Sequence, residues 1–408
     1  MRQMVSTAKL ENGMKKLVMV LALSVMATSA TQADDVKIGV LLGYTGPIES
    51  FTPQMSSSAE LAMKEVSDTG LFLGGQTVTS VRGDSTCVDT PAATAAAERM
   101  ITADGVMGIM GADCSGVTGA VLQNVALPNG IVMISPSATS PGLSHTNNED
   151  QGLFFRTAPS DARQGEVMAD ILIEDGVKSV AVSYTNNDYG KALAETFEAA
   201  FNAVGGEVTL SAGHEDGKGD YSAEVGALAA AGGDRLVLIG YLDQGGSGVL
   251  RAALDSGAFE TFHFPDGMIG SMLEENFGSE INGSTGQHPG TDSDGQAMLV
   301  EMVGDAFDAT SAYVPESYDA TALILLAMQA ANSSAPSDYK DHVMAVANAP
   351  GEQIFPGELG KALEILAEGG EIDYVGATAV ELIGPGESAG NFRQIVVEGG
   401  KITTVSYR

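Results

Sequence analysis

"VKIGVLLGYTGP", residues 36–47, sets a seven-residue apolar run directly against a turn bearing glycine, tyrosine and proline. An apolar run without polar alternation reads as a strand covered on both faces, the mark of a parallel sheet. The same figure recurs along the chain. VTSVR (78–82) runs into GDSTC, VMGIM (106–110) into GADCS, and IVMI (131–134) into SPSAT. A second series holds SVAVSY (179–184), EVTLSA (207–212), RLVLIG (235–240) and TFHFP (261–265). Helix candidates lie between them at 56–68, 90–103 and 190–204, with Pro91 where a first helical turn tolerates it. Two strand–helix series predict an α/β protein of two Rossmann-like lobes, each with its own parallel sheet. GSTGQHPGTDSDG (283–295) and ELIGPGESAGNF (381–392) read as loops that carry the chain between lobes, with a packed helix over 315–331 separating them. Such lobes are discontinuous in sequence, and several crossings make a hinge that closes on a ligand.

The first residues stand apart from this pattern. MKKLVMVLALSVMATSATQA (Met14–Ala33) has two lysines, an apolar run and then small residues, the order of a secretory signal. The expected signal is 1–33, with cleavage after Ala33 or, alternatively, Ala30, and translation starting at Met1 or Met14. No cysteine lies near the cleavage point to carry a lipid anchor, and no later run approaches membrane-spanning length. The expectation is an exported, periplasmic protein that is not membrane-embedded. The formal net charge of −33 excludes nucleic acid as a partner. Cys87 and Cys114 are the only cysteines. In an oxidising compartment they most simply pair, a bridge worth about 3–4 kcal/mol by loop entropy, the alternative being free or reactive thiols.

Small hydroxyls, glycines, tyrosines and acids gather after the strands of both series: GYTGPIESF, GDSTC, GADCS and SPSAT in the first, TNNDYG, YLDQGGSG and DGMIG in the second. Taken singly these are ordinary turn and capping residues. Their repetition at corresponding strand ends places a ligand between the lobes, because open parallel sheets bind ligands at their carboxyl edges. Signals for catalysis are weak. There is no GxGxxG, GxxxxGK[ST] or GxSxG, and the five histidines (145, 214, 263, 288 and 342) are dispersed without metal-ligand spacing. DSDG (292–295) lacks the later glutamate of a calcium loop, and Ser115 has no histidine near it in sequence. Binding without catalysis, cofactor or metal is the expectation.

VKIGVLLGYTGP, GDSTC…GADCSG, ISPSATSP, FFRTAPSDARQG, NNDYG and FPDG follow one another in an order that resembles the periplasmic solute-binding proteins of branched-chain amino acid ABC transporters, the Leu/Ile/Val-binding group. The likeness spans nearly the whole chain after the signal. It implies the type I periplasmic-binding-protein fold, with lobe 1 over 34–159 and 289–388, lobe 2 over 160–288 and 389–408, and three crossings between them. It also implies a Cys87–Cys114 bridge within lobe 1, a monomer, and an inner-membrane ABC permease as partner.

Carried over residue by residue, the resemblance puts Ser115, Ser137, Ala138 and Thr139 around a ligand's zwitterionic head. Tyr189 and Tyr241 come from lobe 2, Asp266 pairs with the ammonium, and Phe51 and Tyr313 form walls. Four positions depart from the pattern. Phe51 replaces a tyrosine, Ser137 stands where alanine is frequent, and Asp266 is shorter than the usual glutamate. Asp113 replaces an apolar pocket residue, and either selects a polar or cationic ligand side chain or caps the next helix. The expected ligand is an amino acid or similar small polar solute. The alternatives are a ligand-sensing domain acting with a separate receptor and, further off, an exported α/β hydrolase or amidase.

Overall fold

The computed structural model describes residues 35–144 and 147–408. The expected signal, 1–33, lies outside the described residues, as does His145. Five strands begin the first sheet: β1 (Val36–Leu42), β2 (Val78–Asp84), β3 (Gly108–Gly111), β4 (Met133–Ser135) and β5 (Phe154–Pro159). Five more begin the second: β6 (Ser179–Thr185), β7 (Glu207–His214), β8 (Arg235–Ile239), β9 (Phe262–Phe264) and β10 (Thr285–Pro289). A two-stranded ribbon follows, β11 (Glu352–Ile354) with β12 (Ile372–Tyr374). The chain then returns to the first sheet with β13 (Leu382–Ile383) and β14 (Glu387–Ser388), and ends in the second with β15 (Phe392–Glu398) and β16 (Lys401–Tyr407).

Within the first sheet the order is β13-β14-β5-β4-β3-β1-β2, and within the second β16-β15-β10-β9-β8-β6-β7. The core order 2-1-3-4-5 therefore occurs twice, all parallel, as in doubly wound nucleotide-binding folds. The chain passes between sheets three times: after β5, after β10, and between β14 and β15.

The apolar runs account for this arrangement. In β1 every residue but Lys37 is buried, as a strand covered on both faces requires. Helix α1 (Thr52–Asp68) buries Met55, Ala59, Ala62, Met63 and Val66, a stripe at helical spacing that packs on the sheet. Helix α2 (Thr90–Arg99) starts under an Asp89 cap that accepts from the Ala92 N–H. The chain then turns from Cys114 into α3 (Ser115–Val121). In the second sheet α4 (Asp161–Glu174) and α5 (Asp188–Ala203) pack on each other, α5 under an Asn187 cap to the Gly190 N–H at 3.0 Å. Helix α6 (Gly245–Ser256) follows β8, and α7 (Val314–Ala331) is buried on all faces from Val314 to Gln329.

All eight strands expected from the sequence are present, their ends shifted by two residues at most. The loop expected at 283–295 is corrected: β10 lies within it and is wholly buried. Two of its polar side chains are met from the neighbouring strand, His263 of β9 bonding Thr285 Oγ1 through Nδ1 at 2.9 Å and Gln287 Oε1 through Nε2 at 2.8 Å. The loop expected at 381–392 likewise contains β13 and β14 and leads into the β15–β16 hairpin, which sequence reading overlooked although Gly399-Gly400 marks its turn.

Candidate ligand-binding cleft

In a doubly wound sheet the strand order reverses beside the first strand, and the loops on either side of that point diverge to leave a crevice. Here the reversals fall between β1 and β3 and between β6 and β8. The segments after those four strands supply Phe51, Asp113, Tyr189 (in the first turn of α5) and Tyr241, and all four line one cavity between the sheets. Ile48, Cys114, Ser115, Ser137, Gly267 and Tyr313 complete its wall. The cavity measures ≈ 20 Å³, room for about one water. The molecule is thus shut over it. The Ser50 N–H donates to Asp243 Oδ2 at 2.8 Å, and the Asp243 N–H to the Pro47 carbonyl at 3.1 Å, tying the loop after β1 to the loop after β8. Across Phe51 a roomier cavity of ≈ 200 Å³ continues outward past Gln54, Gly270, His288 and Arg393.

Seven of the expected ligand residues thus meet at one place: Phe51, Asp113, Ser115, Ser137, Tyr189, Tyr241 and Tyr313. Ala138, Thr139 and Asp266 are buried beside the cavity rather than in its wall. Cys87 and Cys114 form the disulfide, with Cα atoms 5.1 Å apart, and so hold the turn after β3 against the end of β2. Ser115, the next residue, accepts from the Ser140 N–H at 3.1 Å, and the Ser137 hydroxyl donates to the Asp113 carbonyl at 3.0 Å.

Asp113 does not cap α3, whose cap residue is Cys114 with no side-chain cap bond. Its carboxylate instead takes the Gly43 N–H, the Ser85 hydroxyl at 2.6 Å and the Cys114 N–H at 3.0 Å, stitching together the ends of β1, β2 and β3. Burial raises its pKa, and these three donors oppose the rise.

From the second sheet, Tyr189 and Tyr241 stack with ring centroids 5.4 Å apart. The Tyr189 hydroxyl donates to Asp266 Oδ1 at 2.6 Å, and the Gly267 N–H reaches the same oxygen at 2.8 Å. Asp266 Oδ2, also buried, has no hydrogen-bond partner. Burial raises the Asp266 pKa, opposed by Tyr189, Tyr313 and the Gly267 N–H. Tyr189, Tyr241 and Tyr313 are pushed well above their usual range, chiefly by burial and then by neighbouring carboxylates, so each is a neutral phenol able to donate. Tyr313, with a left-handed φ of 68°, caps the start of α7 and leans its ring toward Phe51, centroids 6.4 Å apart.

Sequence reasoning missed Arg156. It is 1% exposed and donates through Nη1 to the carbonyls of Ala138 and Ser140 at 3.1 and 2.9 Å, bracing the turn around Thr139 from behind. The other amino group of its guanidinium bonds Ser144 and Glu387. Its only signal was the FFRTAPSDARQG motif, used as a family marker. Among the described residues no cluster of side chains could hold a metal ion, and no helix is long and apolar enough to cross a membrane.

Comparison with known proteins agrees with this geometry. Residues 35–359 match the family model described as periplasmic binding protein. The chain is 31% identical over 321 residues to the Leu/Ile/Val-binding protein homolog 1 of Brucella suis, covering 77% of this chain and 84% of that one. A leucine-binding protein from Thermotoga maritima superposes with a TM-score of 0.76 at 21% identity, over 91% of this chain and 98% of that one. A branched-chain amino acid transporter substrate-binding protein from Streptococcus pneumoniae, in complex with isoleucine, gives 0.74 at 20%, over 91% and 99%. The chain belongs to the periplasmic binding protein family, in the branched-chain amino acid group of ABC-transporter binding proteins.

Proposed function

We propose that this protein captures an amino acid between two closing lobes and presents it to an inner-membrane ABC permease. The observation that carries the proposal is the wall of the cavity. Serine hydroxyls come from one sheet's loops, the stacked phenols of Tyr189 and Tyr241 from the other's side, and the phenol of Tyr189 is bonded to a buried carboxylate with one oxygen unpartnered. In this reading Ser115, Ser137 and Thr139 take the ligand's carboxylate and part of its ammonium. Asp266 supplies the opposing charge, and Phe51, Tyr241 and Tyr313 enclose the side chain. Asp113 faces the same space with its acceptors engaged by strand-end donors, so it sets local polarity rather than gripping a cation. The Brucella relative carries a Leu/Ile/Val-binding name, which supports a small aliphatic or polar amino acid here.

The lobes are 34–159 with 289–388 and 160–288 with 389–408, and entry of the ligand requires them to part. Export through the 1–33 signal places the protein in the periplasm, as a monomer. In this reading Ser115 is a ligand contact: its Oγ accepts from the Ser140 N–H, and no histidine lines the cavity among the described residues. A thermal-shift panel of the twenty amino acids tests the proposal on protein first stripped of bound solute by mild unfolding. A ligand bound only by the native state raises the melting temperature, so at least one amino acid should do so. A flat response across all twenty contradicts the proposal.

A further inference from the structure

The cavity outside Phe51 has no task in the reading above. Its walls continue those of the inner cavity: Phe51 belongs to both, Ile269 and Gly270 follow Gly267, and Ala312 and Val314 flank Tyr313. The Phe51 ring is the partition. It is buried, and its Cζ would stand 3.1 Å from a Cβ on residue 270, so a glycine there gives the ring its place. The inner space is ≈ 20 Å³ and the outer ≈ 200 Å³. A ligand side chain of any length therefore has room only beyond the ring.

The outer wall is polar and its charges balance. Glu274 accepts from the Lys401 ammonium at 2.8 Å and the Ile402 N–H at 2.7 Å. Asp308 accepts from the Thr310 N–H and hydroxyl, both at 2.8 Å, and from the Ser311 hydroxyl at 3.1 Å, with the charge of Arg393 also favouring its ionised form. Arg393 and Lys401 thus offset the two acids. What is left over is uncharged acceptors and one donor group. Gln54 Oε1, from the first turn of α1, is buried with no hydrogen-bond partner. His288 Nδ1 lies 2.7 Å from the Pro289 carbonyl, which can only accept, so Nδ1 carries the proton and Nε2 is an acceptor. Burial, then the charge of Arg393, lowers the His288 pKa to about 4, which keeps the ring neutral. Arg393 gives Nε to Thr404 Oγ1 at 2.7 Å and Nη1 to the Thr310 carbonyl at 3.2 Å, and Nη2 is left to donate.

We propose that the outer cavity is the side-chain subsite of the cleft, entered as the Phe51 ring swings aside, and that it selects an amino acid whose side chain ends in an uncharged carboxamide. The inference rests on the amino-acid reading of the cleft. A primary amide has one carbonyl to accept from Arg393 and two N–H donors for Gln54 Oε1 and His288 Nε2. An aliphatic side chain would leave these groups unmet, and a buried polar group without a partner is costly. A carboxylate would bring acceptors to acceptors and a charge to a wall already neutral.

Calorimetric titration of the stripped wild-type chain with L-glutamine, L-leucine and L-glutamate tests this. Glutamine should bind at least tenfold more tightly than either of the others, and Gln54→Leu should narrow the preference for glutamine over leucine at least fivefold. Circular dichroism melts establish that the variant is folded; if it is not, the wild-type ratios decide alone. A wild-type preference below tenfold, or a folded Gln54→Leu chain with the wild-type preference, overturns this inference and leaves the amino-acid reading standing. Absence of binding by all twenty amino acids overturns both.

Discussion

Asp113 and Glu316 are both fully buried acids, and they differ in what surrounds them. Three donors converge on Asp113, whereas Glu316, in the first turn of α7, has an oxygen with no partner. Burial pushes the Glu316 carboxyl from 4.5 up to about 8, with the charge of Asp319 adding to the rise. A folded-state pKa above the unfolded value means that the native state binds the proton more tightly. Its stabilising effect is full below about 4.5 and is lost as pH climbs to about 8. Glu316→Gln should therefore flatten the fall in stability across that window and be more stable than wild type at pH 8, on the order of a few kcal/mol. Urea midpoints at pH 5 and pH 8 check this, and an unchanged pH slope in the variant contradicts it. At this scale the sequence was only partly legible. The strand ends pointed to a ligand between the lobes and the family resemblance named Ser115, Tyr189 and Phe51, but the burial of Arg156 is decided by tertiary packing that no local pattern announces.

At the scale of elements, strand ends do the positioning. The Asn187 cap and Gly190 fix the first turn of α5 and with it Tyr189. A Cβ on Gly190 would stand 2.1 Å from the Thr185 carbonyl oxygen, a backbone atom with no freedom to retreat. Gly190→Ala should cost about 1–3 kcal/mol, as overpacking does, and should weaken amino-acid binding as Tyr189 shifts. Urea denaturation and a binding titration on the same variant measure both. Unaltered stability would mean that this turn has slack the packing does not suggest. The parallel strands were readable because their apolar runs are continuous and end in turn residues. Strand β10 was not, because the polar side chains of Thr285, Gln287 and His288 read as loop until His263 is seen to bond two of the three from the neighbouring strand. The β15–β16 hairpin mixes exposed and buried positions, so its apolar signal is diluted.

For the whole molecule, two copies of one strand order face each other across a closed crevice, joined by three passages of the chain. Loops from both sheets contribute to one wall, so in the proposed reading neither half makes a complete site. The proposed mode of capture requires the bonds from Ser50 and Asp243 across the mouth to break as a solute enters. The duplicated fold was legible from the two strand series. The passage of the chain between the sheets near 381–392 was expected too; that this stretch itself forms β13 and β14 was not, since its glycines and proline read as loop. The measurement that bears most directly on this account is a calorimetric titration of the stripped chain with amino acids, run beside Asp266→Ala. The account predicts one-to-one binding of at least one amino acid by the wild type and loss of that binding in a variant that remains folded. Equal affinity in the two chains, or no heat from any amino acid with the wild type, would contradict it.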